Sequence, residues 1–550
     1  MKKAQTVTPI LLTTIVLLLC TLPLSAQDTV QHPVAFGISA RLSDLAKLPQ
    51  APHYGFHEAN PVHRVPKRNF GQVVDGVEQG FVEPNFGPTA GNYSIGANFL
   101  GVGNGFPNYS VPDAPPDTTM AVGDTQIVQW VNVSYTVCSK TSPYTCGPAI
   151  EGNTLWSGLS GSPLCKTQND GDIIAQWDTR AHRWVLTQNV FQSPYAVCLA
   201  ISTTSDANGS YYVYQFPVPG NGFPDYPKWG IWPSNYGQAM NNFGPTGSSF
   251  MGPQVCVYNR NKLIKGDPTA EQICHQYTSA EDSLLPADLD SATPPPTGED
   301  QFFIGSLGDV DNAHLSLYSA HINNPNDWSK GATFTGDGNS QLLPIALFNP
   351  ACGNYGGDCV PQKGITDLVD SLGGRLMYRF AYYNDGTTQH WLTNFDVAAS
   401  GGQNGVRWFE TTAPNSRVRV TSMRVHQQGT YAPNGNWRWM GSVAMDKAGD
   451  ILVGYSESCG DTCPNGTAMY PSIFLAGRLA TDPLGKLEKE IQVVGGTGSQ
   501  PDTANRWGDY SSMRIDRDGC TFWYTTEFYK TTATFDWSTQ VASAKFANCQ

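Results

Sequence analysis

The chain has 550 residues and a net charge of −13, with only 14% charged residues but 56 glycines, 39 prolines and 11% aromatics. An acidic surface repels phosphate backbones, which argues against nucleic acid and anionic membranes as partners. Beyond the N-terminus no apolar run approaches the roughly 18 residues of a membrane span, and the Gly/Pro density points to many short strands joined by turns.

Residues 1–26 read as a secretory signal peptide: Lys2 and Lys3, an apolar stretch over 10–24, then Ser25, Ala26 and Gln27. Leu19 before Cys20 argues against a lipoprotein anchor. The expected product is secreted, extracellular or periplasmic, and monomeric. Residues 27–110 read as an irregular, Pro/Gly-rich arm that either packs on the body or is partly disordered; only 35–48 shows helical periodicity. His53, His57 and His63 read as loop histidines, with a metal site as the alternative. Gly101, Gly103 and Gly105 read as a flexible loop, since no helix follows.

From residue 111 to 550 the pattern is regular. Strand-like runs occur at 127–131, 173–177, 184–187, 211–214, 315–318, 375–378, 451–455 and 521–524, punctuated by Gly, Asn, Asp and Pro. The exception is a short helical signal over 484–491. A D-x-x-G element recurs at Asp206/Gly209, Asp446/Gly449 and Asp516/Gly519, the chemistry of a tight hairpin turn rather than of catalytic aspartates. Trp130, Trp177, Trp184 and Trp232 fall at strand positions and are expected in the core.

A second element heads each unit: charged residues immediately before a short apolar strand. The seven heads are Asp117; Asp172; Asp225 with Lys228; Asp288 with Asp290; Asp370 with Arg375; Arg438; and Arg506 with Asp509. Four-stranded blades with long loops take roughly 40–50 residues or more each. The expected fold is therefore all-β, a single β-propeller over 111–550 with seven blades, six or eight staying open because the heads near Asp288 and Asp370 are far apart.

Thirteen cysteines leave twelve after the signal peptide, an even number that suggests disulfides in an exported chain. Proximity suggests Cys138–Cys146, Cys165–Cys198, Cys256–Cys274, Cys352–Cys359, Cys459–Cys463 and Cys520–Cys549. The competing zinc reading lacks a second close pair beside Cys459 and Cys463.

Several segments carry a resemblance: 116–123, 223–228, 374–381, 438–446 and 506–513. They resemble uncharacterised secreted bacterial proteins of the sialidase-like (BNR/Asp-box) β-propeller superfamily. The resemblance implies a fold and no activity. It also departs from true sialidases, whose Asp box places Gly two residues after Asp; here the spacing is three.

No G-x-S-x-G, H-E-x-x-H or Walker pattern is present. The candidate ligand-binding residues are therefore the heads, which would ring one mouth of a central channel: Asp117, Asp172, Asp225, Lys228, Asp288, Arg375, Arg438, Arg506 and Asp509, beside Trp439, Trp507 and Tyr510. Mixed carboxylates, cations and aromatic faces suit a sugar. The competing reading is that these are inter-blade ion pairs, such as Arg506 with Asp117; Arg379 and Glu410 read as structural strand charges. No cofactor is identified, although convergent carboxylates could hold calcium; Asp309 and Asp311 read as a surface turn rather than a calcium loop. The expected function is binding of a glycan or an extracellular protein at the channel mouth, the alternative being a glycoside hydrolase or lyase.

Overall fold

The computed structural model describes residues 28–48, 57–58, 72–80, 92–278, 281–306, 311–336, 341–353, 357–417, 422–501 and 505–550. The signal segment, His53, His63 and Asp309 lie outside them, and His57 is described only as backbone.

The described chain is nearly all β-structure, laid down as seven successive four-stranded antiparallel units. Their first strands are Thr119–Val122, Ile174–Asp178, Pro224–Ile231, Asp282–Leu289, Leu376–Asn384, Trp437–Met445 and Ser512–Ile515. Each of these lies beside the first strand of the next unit, and Ser512–Ile515 in turn lies beside Thr119–Val122. The first strands of the fourth and fifth units also pair directly in parallel, Ala287 opposite Phe380.

The strands read as continuous apolar runs because both sheet faces are covered by neighbouring units. Ala121, Val128 and Trp130 of the first unit pack with Trp184, Leu186 and Val213 of the second. Comparable buried clusters join the third unit to the fourth, the fourth to the fifth, the fifth to the sixth, the sixth to the seventh, and the seventh to the first. Trp130, Trp177, Trp184 and Trp232 are all buried in this packing.

The N-terminal arm differs from the irregular segment expected. Val30–Gln31 extends the third unit and Ala35–Ile38 extends the second, while Glu78–Gln79 adds in parallel to the fifth. Tyr93–Leu100 is the fourth strand of the seventh unit, antiparallel to Ser538–Phe546. The periodicity over 35–48 thus yields a strand followed by a single helical turn, Leu42–Leu45. The free edge of Tyr211–Pro217 supplies backbone partners, and tertiary pairing overrides local propensity. No helix forms over 484–491: Gly485 takes φ +77 after Pro483, and Ile491–Val494 is the outer strand of the sixth unit. Nor is 101–105 loose. Gly101 donates to Thr539 O, Val102 to Gln129 Oε1 and Asn104 to Trp537 O.

Because the eight-residue strand Tyr93–Leu100 lies before residue 111, a chain starting at 111 leaves Ser538–Phe546 as a long unpaired strand edge. Such a truncation is expected to be insoluble on expression, whereas one starting at residue 92 folds. Near-UV circular dichroism and gel filtration of the two check this.

All six suggested disulfides are present. The D-x-x-G elements form turns, each closed by the glycine N–H donating to the aspartate carbonyl. Two of them join first to second strands and one joins third to fourth, so they are structural but not at one repeated place.

Candidate functional site

At four junctions the head of one first strand is latched by a side chain of a neighbouring unit. Asn132 Oδ1 accepts from Asp172 N at 3.2 Å, Asn241 Oδ1 from Ser283 N at 2.7 Å, and Asp396 Oδ2 from Met440 N at 3.1 Å. Asp117 Oδ1 accepts from Asp509 N at 2.8 Å across the junction of the seventh and first units. The chain turns sharply there: Asp117, Asp172, Tyr226, Ser283, Leu372 and Met440 all adopt φ between +45 and +57. Gly171 shows how tight the latch is. At φ +91, a Cβ on it would lie 1.7 Å from Asn132 Oδ1.

These turns bring Asp117, Asp172, Asp225, Lys228, Arg375, Arg506 and Asp509 into one electrostatic cluster. Lys228 is fully buried, with Nζ 3.2 Å from the centre of the Tyr226 ring and 4.1 Å from that of Tyr510. Burial pulls its ammonium down to about 7 against the pull of Asp172, Asp509, Asp117 and Asp225. Burial, then the charges of Asp225 and Asp509, push Asp172 up to about 8. Burial likewise raises Asp117 well above the carboxylate range, reinforced by Asp509 and Asp172. Arg375 sits 5.1 Å over the Tyr226 ring; burial opposes its charge, but Asp225 and Asp282 outweigh it. Arg506 donates to Asp509 Oδ1 at 2.6 Å, and its charge also acts on Asp117.

Two candidates stand apart. Asp288 lies further along the inner strand of the fourth unit, where its Oδ2 accepts from Arg379 Nε at 2.8 Å and Arg514 Nη1 at 2.5 Å. The head of that unit is Asp282, which opens its first strand. Arg438 points into the sixth unit, between Glu457 and Glu490 at 3.1 and 2.7 Å. Of the structural strand charges, Glu410 holds His390 at 2.7 Å and Arg379 grips Asp290 with both ends of its guanidinium. Among the described residues no group of three or more His, Cys, Asp or Glu is arranged to hold a metal ion.

Side chains near the heads also bond from one unit to another. Tyr226 OH donates to Asp509 O, and Tyr510 OH to Ile173 O. Arg514 reaches Met120 O, Ala175 O, Asp288 and the Tyr378 hydroxyl. These bonds tie together inner strands of the first, second, fourth, fifth and seventh units.

Sequence reasoning missed Asp282, Asp370 and Glu527 as neighbours of the cluster. In the sequence Asp370 marks only the start of a head; burial raises it, and Arg506, Asp509 and Arg375 surround it. Glu527 lies at the end of a second strand, Thr521–Phe528, where no pattern marks it; its Oε1 accepts from Gly508 N at 2.5 Å.

No family model matches the chain, and no curated protein matches it; the sialidase-like resemblance thus has no sequence-family match behind it. Solved structures similar to it include the WD40 domain of SCAP from fission yeast (9% identity, TM-score 0.34, covering 83% of this chain and 99% of that one). The periplasmic gluconolactonase PpgL of Pseudomonas aeruginosa is similar at 11% identity and TM-score 0.31, covering 73% and 100%. The hemagglutinin-neuraminidase of parainfluenza virus 5 is similar at 8% identity and TM-score 0.32, covering 83% and 97%.

Proposed function

We propose that the seven units form one closed, seven-bladed β-propeller, exported to an oxidising compartment, that binds a glycan at the floor formed by its strand heads. Six disulfides agree with an oxidising compartment. One observation supports the binding reading: carboxylates, guanidiniums and tyrosines from different units meet in one cluster, beside bonds that Arg514, Tyr226 and Tyr510 make between units. Such a floor offers fixed acceptors and donors to a hydroxyl-rich ligand. Of the aspartates there, Asp370 and Asp509 are 8% exposed and Asp225 and Asp282 6%.

The hydrolase alternative is favoured by one specific feature: Asp172, held protonated near neutrality by burial, lies within the field of Asp509. Acid and base carboxyls in different states are the requirement of glycoside hydrolysis.

A glycan array and a polysaccharide-degradation screen on wild type, Asp225→Asn and Asp509→Asn test both readings. Binding without turnover, reduced about tenfold or more in the folded variants, is expected. Turnover lost in Asp509→Asn would favour the hydrolase. Absence of both from wild type would end the glycan reading.

A further inference from the structure

The charges at the strand heads decide which saccharides the floor can take, an inference that rests on the glycan reading above. Asp225, Asp282, Asp370 and Asp509 stand there against Arg375 and Arg506. Both guanidiniums are already engaged. Arg506 holds Asp509 at 2.6 Å, and Arg375 lies over Tyr226 within the field of Asp225 and Asp282. Lys228, the remaining cation of the cluster, is sealed beneath at 0% exposure. An incoming carboxylate or sulfate would have to displace an internal carboxylate from its guanidinium and then sit among the others. Like-charge juxtaposition of this kind disfavours association. A sugar hydroxyl donates to the same carboxylate oxygens without that cost.

Glu527 adds an observation independent of the charge count. It is 1% exposed, and its Oε1 is fixed by the Gly508 amide at the Asp117–Asp509 latch. Its Oε2 is buried and meets no hydrogen-bond partner among the described residues. A buried carboxyl oxygen of this kind calls for a partner. A sugar hydroxyl can donate to or accept from it, and so serves it in either protonation state.

We propose that the floor binds an uncharged saccharide and rejects acidic ones, with Glu527 as a further ligand contact.

Titration calorimetry at low salt would compare cellohexaose, maltohexaose and xylohexaose with hexagalacturonic acid and sialyl-lactose. Wild type is expected to bind at least one uncharged sugar about tenfold or more tighter than either acidic one. The double variant Asp225→Asn/Asp282→Asn should narrow that gap. Glu527→Gln, which keeps the acceptor for Gly508, should weaken the uncharged sugar several-fold with an unchanged near-UV spectrum. An acidic sugar binding as tightly as the uncharged ones, in a manner lost in Asp509→Asn, would overturn the selectivity while leaving the glycan reading standing. Glu527→Gln binding at wild-type affinity would remove Glu527 from the site. Wild type binding none of the five sugars would overturn the inference, and the array would then decide the glycan reading by itself.

Discussion

Replacing Asp288 with alanine is expected to cost about 3–5 kcal/mol of folding stability, among the largest effects of any single polar substitution in this chain. The carboxylate joins Arg379 and Arg514 from the fifth and seventh units while accepting the Ile231 amide at 3.0 Å from the third. The two guanidiniums outweigh the burial that would otherwise raise it, and hold Asp288 below the ordinary carboxylate range. Truncation leaves two buried cations without this partner, and desolvation makes such a loss expensive. The Arg41–Asp206 pair is the control: both side chains are about half exposed, their contact is 3.5 Å, and Arg41→Ala should cost less than about 1 kcal/mol. Denaturant midpoints for both variants check the contrast. Equal, small losses would show that the central brace does not hold the units together.

Stability is expected to fall as pH rises from 5 to 7. Burial holds Asp446 up to about 7, and Asp172, Glu457 and Glu527 up to about 8. In the unfolded chain these groups ionise near 4. The folded protein therefore keeps protons that the unfolded chain releases. Their contribution is fully present below about pH 4 and is lost as pH climbs through 7 and 8. Lys228 has the opposite sign: lowered to about 7, it favours the fold at high pH and its contribution is lost as pH falls toward 7, so it does not counter the acids below neutrality. Each acid that stays protonated contributes up to about 1.4 kcal/mol per pH unit to the slope. Urea midpoints at half-unit intervals measure it. Asp172→Asn and Glu527→Gln should each flatten the curve, and a midpoint rising from pH 5 to 7 would contradict the assignment of buried neutral acids.

The unit heads were legible in the sequence because a charged or turn residue before a short apolar run is a local signal, and six of the seven proposed heads do precede or open a first strand. The fourth was displaced. Asp288 shows the same local pattern, but it sits inside its strand, and the true turn at Asp282–Ser283 has no apolar run distinct from the strand it opens. The strand Tyr93–Leu100 was hidden for a different reason. Its partner lies more than 400 residues away, and alternation alone gave it no sheet to join. The latches at Asn132, Asn241 and Asp396 were invisible because each acts on a backbone amide of another unit. Arg438 looked like the other heads by pattern, yet its long side chain bonds Glu457 and Glu490 within the sixth unit.

The most direct test of the central claim is hydrogen–deuterium exchange of the full chain, with and without a saturating concentration of whichever array glycan binds most tightly. Protection confined to peptides spanning 171–176, 224–230, 372–377 and 505–511 is the predicted result, since those backbones carry the strand heads. Protection on the outer strands, such as Gln272–Gln276 or Ile491–Val494, with the heads unchanged, would contradict it.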